Sequence, residues 1–253
     1  GRLFQLKAYE IPQTSRTAKG QAIVNFLQLA PEEKVSAILS VEDVSSFKNL
    51  VMVTRKGLIK KVELEKFQNV RRTGLIAIKL KDGDQLEWVK PSAGKDNIVL
   101  ISAHGQAIRF REKDVRAMGR GAAGVRGIKF KKEDDEIVGM DILDNGKATP
   151  TEQLLVVMSN GYGKRTPLTQ YKVQGRGGTG IKTATVTDKT GPIEAAFIVN
   201  AKLVDEDLVI ISNKGQVIRL PLKSVNVIGR ATQGVKLMSF KEKGDEVASV
   251  TFI

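Results

Sequence analysis

Cysteine is absent from this 253-residue chain, histidine occurs once, and aromatic residues make up 5%. Without cysteine there are no disulfides and no thiolate metal sites, which fits a reducing cytoplasm. One histidine, His104, leaves no histidine-based metal cluster or triad; standing before Gly105, it reads as a polar turn residue. The scarcity of aromatics argues against a single-strand nucleic-acid binder, which needs ring platforms for bases. No apolar run nears the roughly eighteen residues of a membrane span, no basic amphipathic helix suits a membrane surface, and no charged-then-apolar leader opens the chain. Nor is there a nucleophile with a base, a pair of carboxylates in an apolar pocket, or a Gly-Lys-Ser/Thr phosphate loop. No catalytic residue, metal or cofactor is therefore expected. Asp82-Gly-Asp84 and the other acidic clusters lack the ligand spacing of a calcium loop and read as solvated loops.

What the chain has in excess is positive charge. Lys and Arg total 41 against 28 Asp and Glu, a formal charge of +13, and the pI is near 9.8. Such an imbalance favours an extended anionic partner, and with few stacking rings the backbone of duplex DNA suits best. Hydrophobic residues at 41% supply an ample core.

The second abundance is a repeat. Strand-like runs end at turn glycines Gly57, Gly105, Gly161 and Gly215, and Gly1 aligns with these without an upstream strand. A second glycine follows each one, Gly20, Gly74, Gly124, Gly180 and Gly234, after 19, 17, 19, 19 and 19 residues. Final apolar strands open at Ile137, Ile193 and Val247, with counterparts near Val35 and Leu86. A period near fifty with about four short strands per unit predicts an all-β, propeller-like ring of blades. The units fall at about 1–46, 47–95, 96–151, 152–202 and 203–253, as a single domain whose first blade is incomplete. In the last hairpin Val217 is expected to point inward and Ile218 to meet a neighbouring sheet, and residues 113–116 and 222–225 read as single helical turns. A polar insertion is expected at 144–150.

Basic residues keep phase with the repeat. Lys60, Lys61, Arg109, Lys164, Arg165 and Arg219 follow the turn glycines; Arg16, Lys19, Arg71, Arg72, Arg120, Arg176 and Arg230 precede the second glycines. One position repeated per blade puts side chains on one rim, so these thirteen are candidate DNA contacts. The loop Gln174, Gly175, Arg176, Gly177, Gly178, Thr179, Gly180 stands out, because its bare backbone can approach a polyanion closely.

Four stretches carry a resemblance to a known family: Tyr9-Glu-Ile-Pro12 with Arg16-Thr-Ala-Lys-Gly20, Val115-Arg-Ala-Met-Gly119 with Gly124-Val-Arg-Gly-Ile128, Asn160-Gly-Tyr-Gly-Lys-Arg-Thr166, and Ile228-Gly-Arg-Ala-Thr-Gln-Gly-Val235. Over essentially its whole length the chain resembles the C-terminal domains of DNA gyrase A subunits. The resemblance implies a β-pinwheel of about five to six four-stranded blades, in which a hairpin from one blade completes the next. It also implies a non-catalytic role: bending and wrapping double-stranded DNA around a basic rim to direct strand passage and supercoiling. The implied partners are the N-terminal breakage-reunion domain of the same polypeptide and the ATPase subunit of an ATP-hydrolysing type IIA topoisomerase, in the cytoplasm at the bacterial nucleoid, with no membrane. The family's box, Gln-Arg/Lys-Arg-Gly-Gly-Arg/Lys-Gly, belongs to a first blade ahead of Gly1. Residues 174–180 match it except at Gly175 and Thr179, as a weakened second box. Two alternatives stay open: the C-terminal domain of the topoisomerase IV counterpart of the gyrase A subunit, and a propeller scaffold that binds an acidic protein partner or a small ligand in its central channel.

Overall fold

The structure is a computed structural model that describes residues 1–15, 17–31, 33–40, 46–146, 148–149 and 151–253. Its strands are β1 (Arg2–Leu3), β2 (Asn49–Thr54), β3 (Leu58–Glu63), β4 (Leu75–Ile76), β5 (Leu86–Ser92) and β6 (Asn97–Ser102). Then come β7 (Gln106–Arg111), β8 (Val125–Arg126), β9 (Ile137–Leu143), β10 (Gln153–Met158), β11 (Tyr162–Pro167) and β12 (Val173–Gln174). The last are β13 (Ile181–Lys182), β14 (Ile193–Val199), β15 (Asp207–Ser212), β16 (Val217–Pro221), β17 (Val235–Lys236) and β18 (Val247–Phe252). Helical structure among the described residues is limited to short 3-10 turns, including Glu112–Asp114 and Leu222–Ser224.

Four hairpins, β2–β3, β6–β7, β10–β11 and β15–β16, turn at Gly57, Gly105, Gly161 and Gly215. All four glycines have φ between 78° and 82°, where a side chain is strained. Each hairpin's first strand pairs on its other side with the final strand of the same repeat: β5, β9, β14 and β18. A register shift recurs at Thr54, Ser102, Met158 and Ser212, so the irregularity belongs to the design. Each hairpin's second strand is then completed by the following repeat. β8 pairs with β3, β13 and β12 with β7, β17 with β11, and β4 with β1. For β16 no such partner exists among the described residues, and the ring of sheets is not closed.

The period of two along a strand explains the packing. In β2, Leu50 and Met52 join one core with Leu3, Ala77 and Ile78, while Val51 and Val53 join the next with Ile98, Leu100 and Ile108. β6 divides likewise, Val99 and Ile101 entering the core that holds Leu154 and Val156. Leu155 and Val157 of β10 face Leu208 and Ile210. Every core thus lies between consecutive sheets. The final strands β5, β9, β14 and β18 neighbour one another in turn, which places them on the inner side and the completing short strands on the outer edge.

Two sequence expectations fail. Among the described residues 33–40 no strand forms near Val35, and residues 41–45 lie outside the described residues; Val35, Ile38 and Leu39 are exposed, with no first strand beside them among the described residues. Val217 points outward at 58% exposure, whereas its counterparts Ile59 and Ala107 are fully buried under a following repeat. Of the expected insertion, Asp144–Gly146 forms a 3-10 turn, while residues 147 and 150 lie outside the described residues.

Candidate nucleic-acid interface

Five of the six cations after the turn glycines are not on a rim. Lys60 and Lys164 are fully buried and Lys61, Arg109 and Arg165 nearly so, which removes all five from direct contact with a duplex. The reason is that each reaches across a junction to backbone carbonyls of the next repeat, Lys60 and Arg109 each capping one carbonyl of their own repeat as well. Arg165 donates from Nε to the carbonyl of Val225 (2.9 Å) and from Nη2 to that of Lys223 (3.0 Å). Arg109 donates to the carbonyls of Tyr171 (3.2 Å) and Gly146 (3.0 Å). Lys61 donates to the Glu112 carbonyl at 3.2 Å and pairs with its buried carboxylate at 3.3 Å. Arg219, beside which no further repeat stands among the described residues, is exposed and pairs with Asp207 at 2.6 Å. These contacts bolt the helical corner of one repeat to the hairpin of the one before.

Lys60 Nζ donates to the carbonyls of Ala77 (2.7 Å), Ala122 (2.9 Å) and Arg120. Lys164 Nζ donates to the carbonyls of Gly229 (2.8 Å) and Arg230 (2.6 Å) and to the Thr232 hydroxyl (3.0 Å). Burial pulls both ammonium groups down to about 8, so at neutral pH they remain protonated.

The acidic clusters also do more than face solvent. Asp135 and Asp245 are buried; each accepts from a serine hydroxyl, Ser102 or Ser212, and from the backbone N–H of His104 or Lys214 in the hairpin turn. Asp84 accepts from the backbone N–H of Lys56. The expectation of solvated loops holds for their neighbours, not for these three, which fasten the turns.

The cations before the second glycines are differently placed. Lys19, Arg71 and Arg72 are exposed and Arg120, Arg176 and Arg230 half-buried; Arg16 lies outside the described residues. Their loops run along the outer edge, each laid on its predecessor. Lys79 N–H donates to Ala122, Lys129 N–H to Gly178, and Thr185 N–H to Thr232, three equivalent bonds between successive loops. Arg176 donates to the carbonyls of Asp114 and Arg126, and Arg230 Nη1 to that of Lys182 at 2.9 Å. The result is a continuous outer strip with guanidinium groups at repeat spacing.

Within the box-like loop, the glycines have distinct duties. A Cβ on Gly180 would stand 2.4 Å from the Ala107 carbonyl oxygen, so this glycine lets the loop press against the preceding hairpin. Gly175 would meet nothing within 4 Å, and its freedom faces outward. Gln174 continues β12 in parallel with Phe110 of β7.

The chain matches the family described as DNA gyrase C-terminal domain, beta-propeller, over residues 1–42, 48–93, 96–144, 152–200 and 206–253. It belongs to that family. It is 40% identical over 251 residues to the DNA gyrase A subunit of Staphylococcus epidermidis, covering 99% of this chain and 27% of that protein. To the Staphylococcus aureus protein of the same name it is 41% identical over 239 residues, 94% of this chain and 26% of that protein. The chain therefore spans about a quarter of the length of these curated relatives. A solved DNA gyrase A C-terminal domain superposes with a TM-score of 0.80 at 27% identity, over 100% of this chain and 79% of that one. The C-terminal domain of DNA topoisomerase IV gives 0.84 at 24% identity, over 97% and 74%, a likeness of fold alone.

On this gyrase-family fold, sequence reasoning missed the most regular cations. Arg126, Lys182 and Lys236 are the outward residues of the two-residue strands β8, β13 and β17, all exposed. The signal was present as Gly-apolar-basic after the second glycine: Gly124-Val-Arg, Gly180-Ile-Lys, Gly234-Val-Lys. Arg116 and Lys172, each eight residues before a second glycine, are exposed as well.

Proposed function

We propose that this chain binds and wraps double-stranded DNA along its outer strip, as the non-catalytic C-terminal part of a gyrase A subunit, with residues 1–253 acting as one domain. The observation that carries the reading is the unbroken outer edge, on which Arg126, Lys182 and Lys236 stand in register on short strands, flanked by Arg116, Arg120, Lys172, Arg176 and Arg230. Bending a duplex through half a turn over about forty base pairs costs on the order of 10 kcal/mol. Many phosphate contacts spread along a curved edge offset that cost, and a few clustered ones cannot. Such contacts position the duplex without reading bases, so sequence preference is low. In the intact protein, the breakage-reunion domain and the ATPase subunit would perform the strand passage that the wrap directs, in the bacterial cytoplasm.

The test is duplex affinity against salt. With about ten phosphates neutralised, log affinity falls with log salt at a slope near −9. A slope of about −2, or equal affinity for single strands, overturns the wrap. The topoisomerase IV reading has fold likeness behind it, whereas the 40% identities are to gyrase subunits.

A further inference from the structure

The clamps at Lys60 and Lys164 have a consequence on the opposite side of the peptides they hold. In a trans peptide the carbonyl and the following N–H point in opposite directions, and no peptide bond in the described residues is cis. Drawing the Arg120 carbonyl inward onto Lys60 therefore turns the Gly121 N–H outward; drawing the Arg230 carbonyl onto Lys164 does the same for Ala231. Both residues are exposed, and neither N–H donates to a protein acceptor among the described residues. Each outward N–H adjoins an arginine of the outer strip.

The device is not a uniform feature of the repeat. Three residues after Gly105 the chain has Ile108, and the loop that follows, 174–180, is fastened by its parallel ladder on β7 and by Gly177 N–H donating to Gly127. The last hairpin carries Ile218 there. At the other two junctions the next loop meets the hairpin through a single parallel bridge, Lys61 with Ala117 and Arg165 with Val227, in place of the two-residue ladder, and there the ammonium clamps occur. A structural plug alone would be served by isoleucine, as at the fully buried Ile108.

We propose that Lys60 and Lys164 are positioning residues for phosphate binding: each buried ammonium orients one outer loop so that a backbone N–H, Gly121 or Ala231, faces a DNA phosphate beside Arg120 or Arg230. The lysines touch no DNA. This rests on the duplex-binding reading and adds to it a preformed amide donor at two of the loops.

The salt slope separates positioning from contact. Lys60→Met with Lys164→Met, in the whole chain, lowers duplex affinity about tenfold and leaves the slope unchanged, because no phosphate contact is lost. Arg120→Ala with Arg230→Ala lowers affinity and also flattens the slope by about 2. A readout without DNA accompanies this: amide hydrogen exchange of residues 119–124 and 229–234 rises about tenfold in the lysine variant, while β2 and β10 are unchanged. If the lysine variant flattens the slope, the lysines are direct contacts and the proposal is wrong. Unchanged affinity or unchanged exchange of those loops overturns it too. A wild-type chain that binds no duplex overturns the wrapping function and with it the phosphate role, whereas faster exchange in the variant would still establish the clamp. Where methionine prevents folding, Lys60→Gln and Lys164→Gln, which donate to fewer carbonyls, carry the same comparison.

Discussion

The strands β10 and β15 begin the third and last hairpins with similar residues, Gln-Leu-Leu-Val-Val-Met and Asp-Leu-Val-Ile-Ile-Ser. Yet β10 is buried at five of six positions and β15 at three. The partner strands diverge further: β11 is buried through its middle, and no residue of β16 is. Nothing in the local sequence makes this difference. It comes from the repeat that packs on β10 and β11, where none stands beside β15 and β16 among the described residues. Burial in this fold is a property of junctions.

Substitutions at matched positions on either side of that comparison test it. The largest difference is expected at the turn glycines. A Cβ on Gly161 would lie 2.4 Å from the Met238 carbonyl oxygen, whereas around Gly215 nothing stands within 4 Å. Gly161→Ala should cost more than about 4 kcal/mol and Gly215→Ala about 1–2 kcal/mol, the cost of positive φ alone; denaturant titration of both variants measures this. Equal losses would mean that the junction does not govern the turn.

Next come the junction cations. Arg165→Ala leaves the Val225 and Lys223 carbonyls without their donor and should cost about 3 kcal/mol. Arg219→Ala removes an exposed pair and should cost under about 1 kcal/mol. Thermal midpoints of the two variants rank them directly.

A smaller effect is expected from pH. Lys164 is lowered by burial to about 8 from an unfolded value near 10.4. The folded chain therefore holds fewer protons between these values, and unfolding free energy rises with pH in that window. By pH 9.5 the gain is about 2 kcal/mol per lysine, for Lys164 and likewise for Lys60. Lys164→Met should abolish its share when stability is compared at pH 7 and 9.5, and the Ile108 junction contributes none.

The smallest effect belongs to single outer cations. Lys236→Ala should weaken duplex binding several-fold, about 1 kcal/mol, and reduce the salt slope by about 0.9, with the thermal midpoint unchanged.

The hairpins, final strands and helical corners were legible in the sequence because strand period, turn glycines and fixed offsets are local signals. The interface was legible only by half. Arg165 and Arg230 have the same repeat regularity and the same charge, and nothing in their neighbours marks that one enters a junction while the other stays outside. Phase-locking marks a repeated environment, and that environment can be a carbonyl cage as readily as a phosphate. Alternation settles the matter where a strand is recognised, as at Val125-Arg126, but two-residue strands are too short to stand out. The strand expected near Val35 failed for the same underlying reason as Val217: apolar residues form a strand only where another backbone stands beside them.

Because alternate residues of β2, β6 and β10 feed two different cores, opening one junction exposes half of the next strand and loosens its neighbour. In residues 1–253 alone, melting should therefore begin at β16 and at β1, which lack a partner strand on one side among the described residues, and travel inward one junction at a time. The amides of β6 and β10 would be last to exchange with solvent, and the middle of the outer strip would keep its curvature after both ends had frayed.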